Sequence, residues 1–591
     1  MKRLKISIFS MLLFMGTLAN AQKLSENIRL NQIGFYPEGP KMAVVVGENQ
    51  GGKFYVKTKD RSKTVFTGTL SATKLGEFSK KPTRVADFSG FKQAGSYVVE
   101  IPNVGYSYTF DIKPNVHKEV ADAAMKGFYY QRMSMDLKPE FAGKWARPAG
   151  HATSKAIVHP SAASPERPAG TVIYSTRGWF DAGDYNKYIV NSGITMGTLL
   201  SAYEDFPEYY KNQKLNIPES KNTVPDHLDE VLWNLRWMLT MQDPTDGGVY
   251  HKLTNPSFDP MIMPHEATKD RYVVQKGTAA ALDFAAVMAQ ASRVYGGFNR
   301  EFPGLADSCL RAATRAFEWA QKNPKVIYDQ DAINKQFDPD VTTGAYGDRE
   351  FSDEFIWAAA ELYVTTKKDS YYTAVNMLPD TNMPLPSWAQ VRLLGYYTLA
   401  RFEKNLTPAA SKDIPEIKKR IVSFADGLLD GVSQRTYRTV FGKTTQEYNW
   451  GSTSNASNQG IALIQAYKLT GNRKYIDGAL SNLDYLLGRN AVGYSFLTGF
   501  GEKSTINPHH RSSVADGIVE PVPGLISGGT NAIANKQDKC EGYTSTFPDE
   551  MYLDESCSYA SNEIAINWNS PFVYLVSAIE ALQGKVGLAK K

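Results

Sequence analysis

Tyr106-Ser-Tyr-Thr-Phe-Asp-Ile112-Lys113-Pro114 is where the texture of this chain changes. Before it, from about residue 27 to 113, lie short runs rich in β-branched and aromatic residues, at 42–46, 53–57, 63–66, 83–88, 96–101 and 106–112. Gly51-Gly52, Gly90 and Ala94-Gly95 punctuate them, and this spacing predicts a small β-sandwich. With no Cys pair in it, hydrophobic packing alone must hold that unit together. After Pro114 the hydrophobic period lengthens from about two to about three and a half, as in Leu228, Leu232, Leu235 and Leu239, or Ile461, Ile464 and Leu469. Roughly twelve helical candidates begin near residues 116, 186, 226, 278, 306, 352, 369, 387, 413, 455, 473 and 571. For the last, Ser570 suits the cap and Pro571 the first helical position. With no strand run between them, these helices predict an all-α toroid over residues 115–588: six hairpins, inner helices around an axis, and loops at one end lining a long cleft.

At 591 residues, two or three domains are expected. The net charge of +5 is spread thinly and no stretch concentrates Lys and Arg, which argues against nucleic acid. Aromatics reach 12%, with 33 Tyr and 9 Trp; core packing accounts for such a content, and so does a surface on which sugar rings stack. Lys2, Arg3 and Lys5, an apolar run from Ile6 to Leu18, and Ala19-Asn20-Ala21 make residues 1–21 a signal peptide cleaved near Ala21, so a secreted protein is expected, periplasmic or extracellular. No later apolar run is long enough to span a bilayer, and a monomer is expected. Of three cysteines, Cys309 sits in a helical pattern as a buried apolar residue. Cys540 and Cys557 flank a loop-rich stretch and are disulfide candidates in an exported chain.

Three distant stretches carry chemistry. In Gly178-Trp-Phe-Asp181-Ala-Gly-Asp184-Tyr-Asn-Lys187 two carboxylates precede a helix, where they can cap it or hold and deprotonate one water. In Ser495-Phe-Leu-Thr498, Gly501-Glu-Lys503 and Pro508-His-His-Arg511, the residues His509, His510 and Arg511 offer donors suited to sugar hydroxyls; a surface turn is the plain alternative, and adjacent histidines diverge from a single metal. In Tyr552-Leu-Asp554 and Tyr559-Ala-Ser-Asn-Glu563-Ile-Ala-Ile-Asn-Trp568-Asn-Ser570, Glu563 sits in an apolar, aromatic frame that disfavours its charged form and suits a proton donor; a surface ion pair is the alternative.

These motifs, in this order, resemble glycoside hydrolase family 9, the inverting cellulases, in the subgroup with an N-terminal immunoglobulin-like domain. The likeness covers nearly the whole mature chain, and Leu30-Asn-Gln-Ile-Gly-Phe35 resembles that domain's opening strand. It implies an Ig-like β-sandwich at 27–113 followed by an (α/α)6 catalytic barrel, with Asp184 as general base and Asp181 as its partner in holding water. Glu563 is implied as general acid, with His509 and Arg511 binding the sugar beside the scissile bond. Inversion requires the two carboxyl groups about 6.5–9.5 Å apart. Trp450, Tyr559 and, less directly, Tyr448 are candidate sugar platforms, with core packing as the alternative.

Several members of the family bind zinc after a Gln-Arg-Cys sequence. Here Gln131-Arg132 is followed by Met133, so no zinc and no required cofactor are expected. Many relatives hold a structural calcium, for which Asp243, Asp246 and Asp348 are candidate ligands and solvated surface charge is the alternative. The expected substrate is a β-glucan, cut by an endo-β-1,4-glucanase acting on cellulose, mixed-linkage glucan or xyloglucan. An exo-acting cellodextrinase, β-glucosidase or glucosaminidase is the runner-up, and a non-catalytic glycan-binding protein is a third reading that retention of all three carboxylates disfavours.

Overall fold

The computed structural model describes residues 22–48 and 51–589. The signal-peptide expectation for residues 1–21 lies outside the described residues. The N-terminal region is two facing sheets. One orders Ile28–Arg29, Met42–Val46, Pro82–Asp87 and Lys74–Leu75; the other orders Gly34–Phe35, Phe110–Ile112, Gly95–Ile101, Lys53–Thr58 and Thr64–Thr69, with Gly105–Tyr106 also on Gly95–Ile101. The run at 106–112 is therefore two strands rather than one. It breaks where the Ser107 hydroxyl accepts from the Val99 amide and interrupts the ladder. Phe35, Phe88 and Phe110 meet with all three ring centroids 5.4 Å apart, and with Val45, Phe54 and Val99 they fill the space between the sheets. Such rings dominate the burial in a core this small.

The helical domain runs through twelve barrel helices: α1 (Lys118–Tyr130), α2 (Ile189–Asp205), α3 (Asp226–Thr240), α4 (Thr278–Tyr295), α5 (Leu305–Lys322), α6 (Ser352–Thr366), α7 (Asp369–Thr373), α8 (Arg392–Arg401), α9 (Ile414–Leu429), α10 (Ser452–Thr470), α11 (Lys474–Leu486) and α12 (Ile566–Leu582). Even-numbered helices form the inner ring of an (α/α)6 barrel and odd-numbered ones lie outside. The sequence shows why: every residue of α4 except Arg293 is buried, whereas α5 buries only a stripe that includes Cys309, Ala312, Ala313, Ala316, Phe317 and Ala320. A helix apolar all round belongs inside; a helix with one apolar stripe packs on its outside.

Three expectations are corrected. The candidate near 369 is only five residues long, and its successor starts at Arg392 rather than near 387, after Pro384 and Pro386 have kept the chain extended. Helix α12 begins at Ile566, so Ser570 is not its cap and Pro571 lies inside it; the Asn567 carbonyl that Pro571 cannot bond accepts from the Ser454 hydroxyl at 3.4 Å. Finally, strands do occur between the helices. Val172–Tyr174, Lys155–Val158, Tyr272–Val273, Lys252–Thr254 and Lys187–Tyr188 form a five-stranded sheet from loop segments too short to show a period.

The sandwich is tied to the barrel by the turn after its first strand. Asn31 donates to Asp484 at 2.8 Å, and the Gln32 amide donates to the Leu487 carbonyl at 3.0 Å. Tyr36 donates to Glu580 at 2.5 Å. Among the described residues no helix is long and apolar enough to cross a membrane.

Candidate active site

The three chemical stretches converge at one end of the barrel through backbone bonds. The Ile566 amide, at the start of α12, donates to the Asp181 carbonyl at 2.8 Å, and the Arg511 amide donates to Gly183 at 3.1 Å. The His509 amide donates to Asn562 at 3.0 Å, and the Gly528 amide donates to the Glu563 carbonyl at 2.8 Å. Gly183 is obligatory for this approach, since a Cβ there would lie 2.1 Å from the His509 carbonyl oxygen. Beneath the acidic loop, Trp179 is buried and donates through Nε1 to Glu230 at 2.8 Å, while Glu230 pairs with Arg132.

A cavity of about 510 Å³ is lined by Asp184, Trp450, His509, Arg511, Tyr559 and Glu563, with Phe258, Tyr188, Tyr346 and the segment 342–344 completing its walls. A second, of about 520 Å³, shares Ala182, Gly344, Tyr346, Trp450 and Glu563 with it and continues past Trp388, Asn455 and Trp568. The two are lobes of one cleft, and Glu563 stands where they join. Asp181 lies just behind. Its carboxylate accepts from Asn191 Nδ2 at 3.0 and 2.9 Å and from the Tyr346 hydroxyl at 3.4 Å. Asp184 Oδ2 accepts from Asn186 at 2.5 Å and Tyr188 at 3.2 Å.

Burial pushes the Glu563 carboxyl up to about 8, and the negative charge of Asp184 adds to that; Arg511 and the Gly183 and Trp450 donors oppose it. Burial also raises Asp184, against the Arg511 guanidinium and the Asn186 and Tyr188 donors. Asp181 is raised well above the carboxylate range by burial and then by Asp184, with only neutral donors opposing. The negative charge of the pair thus concentrates on Asp184, the member with a cation beside it. A protonated acid and an ionised carboxylate on one cleft are the components of general acid-base hydrolysis.

His509 Nδ1 lies 2.6 Å from the Ser556 carbonyl, which can only accept, so Nδ1 carries the proton; burial lowers the ring's pKa and leaves Nε2 an acceptor. Arg511 is anchored through Nε to the Asp259 carbonyl and through Nη1 to Gly183, both at 2.8 Å. The Trp450 ring is 41% exposed and lies 5.4 Å from that of Tyr559, which is 5.7 Å from His509. Two expectations are corrected here. Tyr448 is 5% exposed and packs on Phe441 and on Phe78 of the sandwich, so it is core and not platform. His510 is buried between Ser513 and Gln131, away from the cleft.

Sequence reasoning missed Asn186, Tyr188, Asn191, Phe258, Tyr346 and Trp388. Asn186, two residues after Asp184, carried a local signal, since Asn and Asp side chains close such turns. Tyr346 carried a weaker one in Thr342-Thr-Gly-Ala-Tyr-Gly347, a Gly-rich loop ahead of a helix. Its φ of 49° is a sparsely populated backbone state for an aromatic residue. Phe258, 45% exposed on the cleft wall, had none.

Two of the three calcium candidates, Asp243 and Asp246, do not fit. Lys276 Nζ lies 2.8 Å from Asp243 and 2.9 Å from Asp246, supplying the positive charge itself. Asp348 lies near Asp283, Asp353 and Glu354, a group of acids in which burial and then mutual repulsion raise the pKa of Asp283 and Glu354 and several carboxylate oxygens have no hydrogen-bond partner. Among the described residues no three acidic, His or Cys side chains are arranged to hold a metal ion. At the position of the missing thiolate, Met133 Sδ contacts Arg271 Nη1 at 3.2 Å. Cys540 and Cys557 form a disulfide with Cα atoms 5.5 Å apart.

Comparison with known proteins agrees with this geometry. Residues 117–576 match the model of glycosyl hydrolase family 9 and residues 23–106 that of the cellulase N-terminal ig-like domain. The chain is 44% identical over 560 residues to the xyloglucan-specific endo-beta-1,4-glucanase BoGH9A of Bacteroides ovatus, covering 94% of each. It is 32% identical over 574 residues to endoglucanase D of Acetivibrio thermocellus, covering 95% of this chain and 85% of that one. The solved structure of a Bacteroides ovatus family 9 protein superposes with a TM-score of 0.89 at 42% identity, covering 95% of this chain and all of that one. With an Ig-like sandwich, an (α/α)6 barrel and three carboxylates meeting on one cleft, the chain belongs to glycosyl hydrolase family 9.

Proposed function

We propose that this family 9 glycosidase is an exported, monomeric endo-β-1,4-glucanase that cuts the backbone of xyloglucan or a closely related β-glucan with inversion. The observation that carries the reading is the cleft continuing on both sides of Glu563, which accommodates a chain in its middle rather than only at its end. The likeness to a xyloglucan-specific endoglucanase over 94% of both chains supports the choice of substrate.

In this mechanism Glu563, protonated through neutrality, gives its proton to the departing glycosidic oxygen. Asp184, ionised beside Arg511, takes a proton from the water that attacks the opposite face of the sugar. Asp181, held by Asn191 and Tyr346, orients that water. His509 and Arg511 bind the sugar at the scissile bond, and Trp450 with Tyr559 supports its neighbours. No covalent intermediate forms, because a water and not a side chain attacks.

The test is a product profile on xyloglucan, carboxymethyl-cellulose, cello-oligosaccharides and chito-oligosaccharides, with the anomer of the first product read by NMR. The expected result is a ladder of oligosaccharides, first released as the α-anomer, and its loss in Asp184→Ala and Glu563→Gln. Release of one small product from chain ends, a β-anomer, or full activity in either variant would overturn the proposal.

A further inference from the structure

Lys252 is fully buried in the strand Lys252–Thr254, where it pairs with Tyr188 on the strand that leaves the acidic loop. It has no carboxylate within ion-pair distance among the described residues, an uncommon condition for a buried ammonium. Its three protons instead go to Gln330 Oε1 at 2.7 Å, Thr343 Oγ1 at 3.1 Å and the Gly344 carbonyl at 2.7 Å. The ammonium lies 5.6 Å from the ring centroid of Tyr188 and 5.3 Å from that of Tyr328.

The segment it holds walls both lobes of the cleft and carries Tyr346, which donates to Asp181. The same strand reaches Asp184 by a second route. Thr254 Oγ1 lies 2.5 Å from Thr343 Oγ1 and donates to Asn186 Oδ1 at 3.1 Å, and Asn186 donates to Asp184. His251, the residue before, donates through Nε2 to the Ala345 carbonyl at 2.8 Å while stacked on Tyr328. The charged and titratable groups around Asp184 are Asp181 on its own loop, Glu563, His509 and Arg511 across the cleft, Asp259 beside Arg511, the hydroxyls of Tyr188 and Tyr346, and Lys252 behind.

We propose that Lys252 is a positioning residue for the base: it fixes the 343–346 segment against the acidic loop and supplies, from behind, the buried positive charge that favours ionised Asp184. The inference rests on Asp184 being the base. Burial pushes the ammonium down to about 7, and the charge of Asp184 opposes that fall, so Lys252 carries its charge below about pH 7. A charge acting through space in a poorly solvated site still biases protonation, because little water screens it.

The test is the pH dependence of kcat and KM on xyloglucan for full-length Lys252→Met, Lys252→Arg and Thr343→Ala, with melting temperatures measured alongside. Lys252→Met is expected to move the acid limb of kcat/KM upward by about half a pH unit or more and to lower kcat more than it raises KM. Lys252→Arg keeps the charge and loses the geometry, so its kcat falls while the acid limb stays. Thr343→Ala removes one acceptor and leaves the limb in place. If Lys252→Met does not fold, the same comparison is made with Lys252→Gln. An acid limb unmoved in the neutral variant, with only the melting temperature lowered, overturns the proposal. Asp184→Asn separates the two ideas: if it stays active the base assignment is at fault, and if it is inactive while the limb is unmoved only the role of Lys252 is.

Discussion

Gly183→Ala should disable the enzyme while adding a single methyl group. Gly183 has an ordinary negative φ, so its backbone admits alanine; the obstacle is the neighbouring chain. The new Cβ would fall 2.1 Å from the His509 carbonyl oxygen and 3.0 Å from both its carbonyl carbon and its Cδ2. An unstrained carbon-to-oxygen contact is about 3.3 Å, so the two loops must part by about 1.2 Å. The oxygen is backbone, and the strain cannot be relieved by a rotamer. The loops in question carry Asp181 and Asp184 on one side and His509 and Arg511 on the other, and the Gly183 carbonyl is where the Arg511 amide and Nη1 are anchored. A displacement of about 1 Å at a reacting centre costs on the order of 10²-fold in rate, about 2.7 kcal/mol of barrier. Overpacking adds about 1–3 kcal/mol of lost stability. Initial rates on xyloglucan, with kcat and KM separated, and a thermal melt would measure both. A kcat within threefold of wild type would refute the reasoning, since it would mean that the loops yield without moving the carboxylates.

Three further outcomes follow from the structure. Activity should be bell-shaped in pH, falling on the alkaline side as Glu563 loses its proton near about 8 and on the acid side as Asp184 gains one above the usual carboxylate range. Because the folded protein keeps the Glu563 proton that the unfolded chain releases above its ordinary pKa of 4.5, stability should decline as pH rises from there to about 8, and melting temperatures of Glu563→Gln should show a shallower decline than wild type. Reducing the Cys540–Cys557 bridge, or replacing Cys540 by Ser, should lower kcat as well as the melting temperature, as rates with and without dithiothreitol would show. The bridge ends one residue from Ser556, whose carbonyl sets the His509 tautomer, and two from Tyr559.

Much of the fold was legible because it depends on local pattern. The change of period after Ile112 separates sheet from helix, and the apolar spacing along α4 and α5 tells inner from outer. Where the pattern is short it fails: the five-stranded sheet uses segments of two to four residues, and reading Ser570 and Pro571 as a cap starts α12 about one turn too late. At Pro571 the local rule lost to tertiary context, because Ser454 from α10 takes the carbonyl that the proline leaves free.

By itself the sequence determined the residue types at the site: three carboxylates in motifs whose spacing is a property of the chain. It also determined the glycine that lets two of those motifs touch. Only the tertiary structure decided which neighbours do work at the cleft. His509 and His510 are adjacent in sequence, yet strand-like pairing with Glu563 turns one toward the cleft and the other toward Gln131. Trp450 and Tyr448 are two residues apart, yet one ring lies in the cleft and the other fills the joint with the sandwich. The charge states of Asp181, Asp184 and Glu563 come from the same source. Burial, one guanidinium and the neighbouring carboxylates act through space, and no spacing along a chain encodes a distance across a fold.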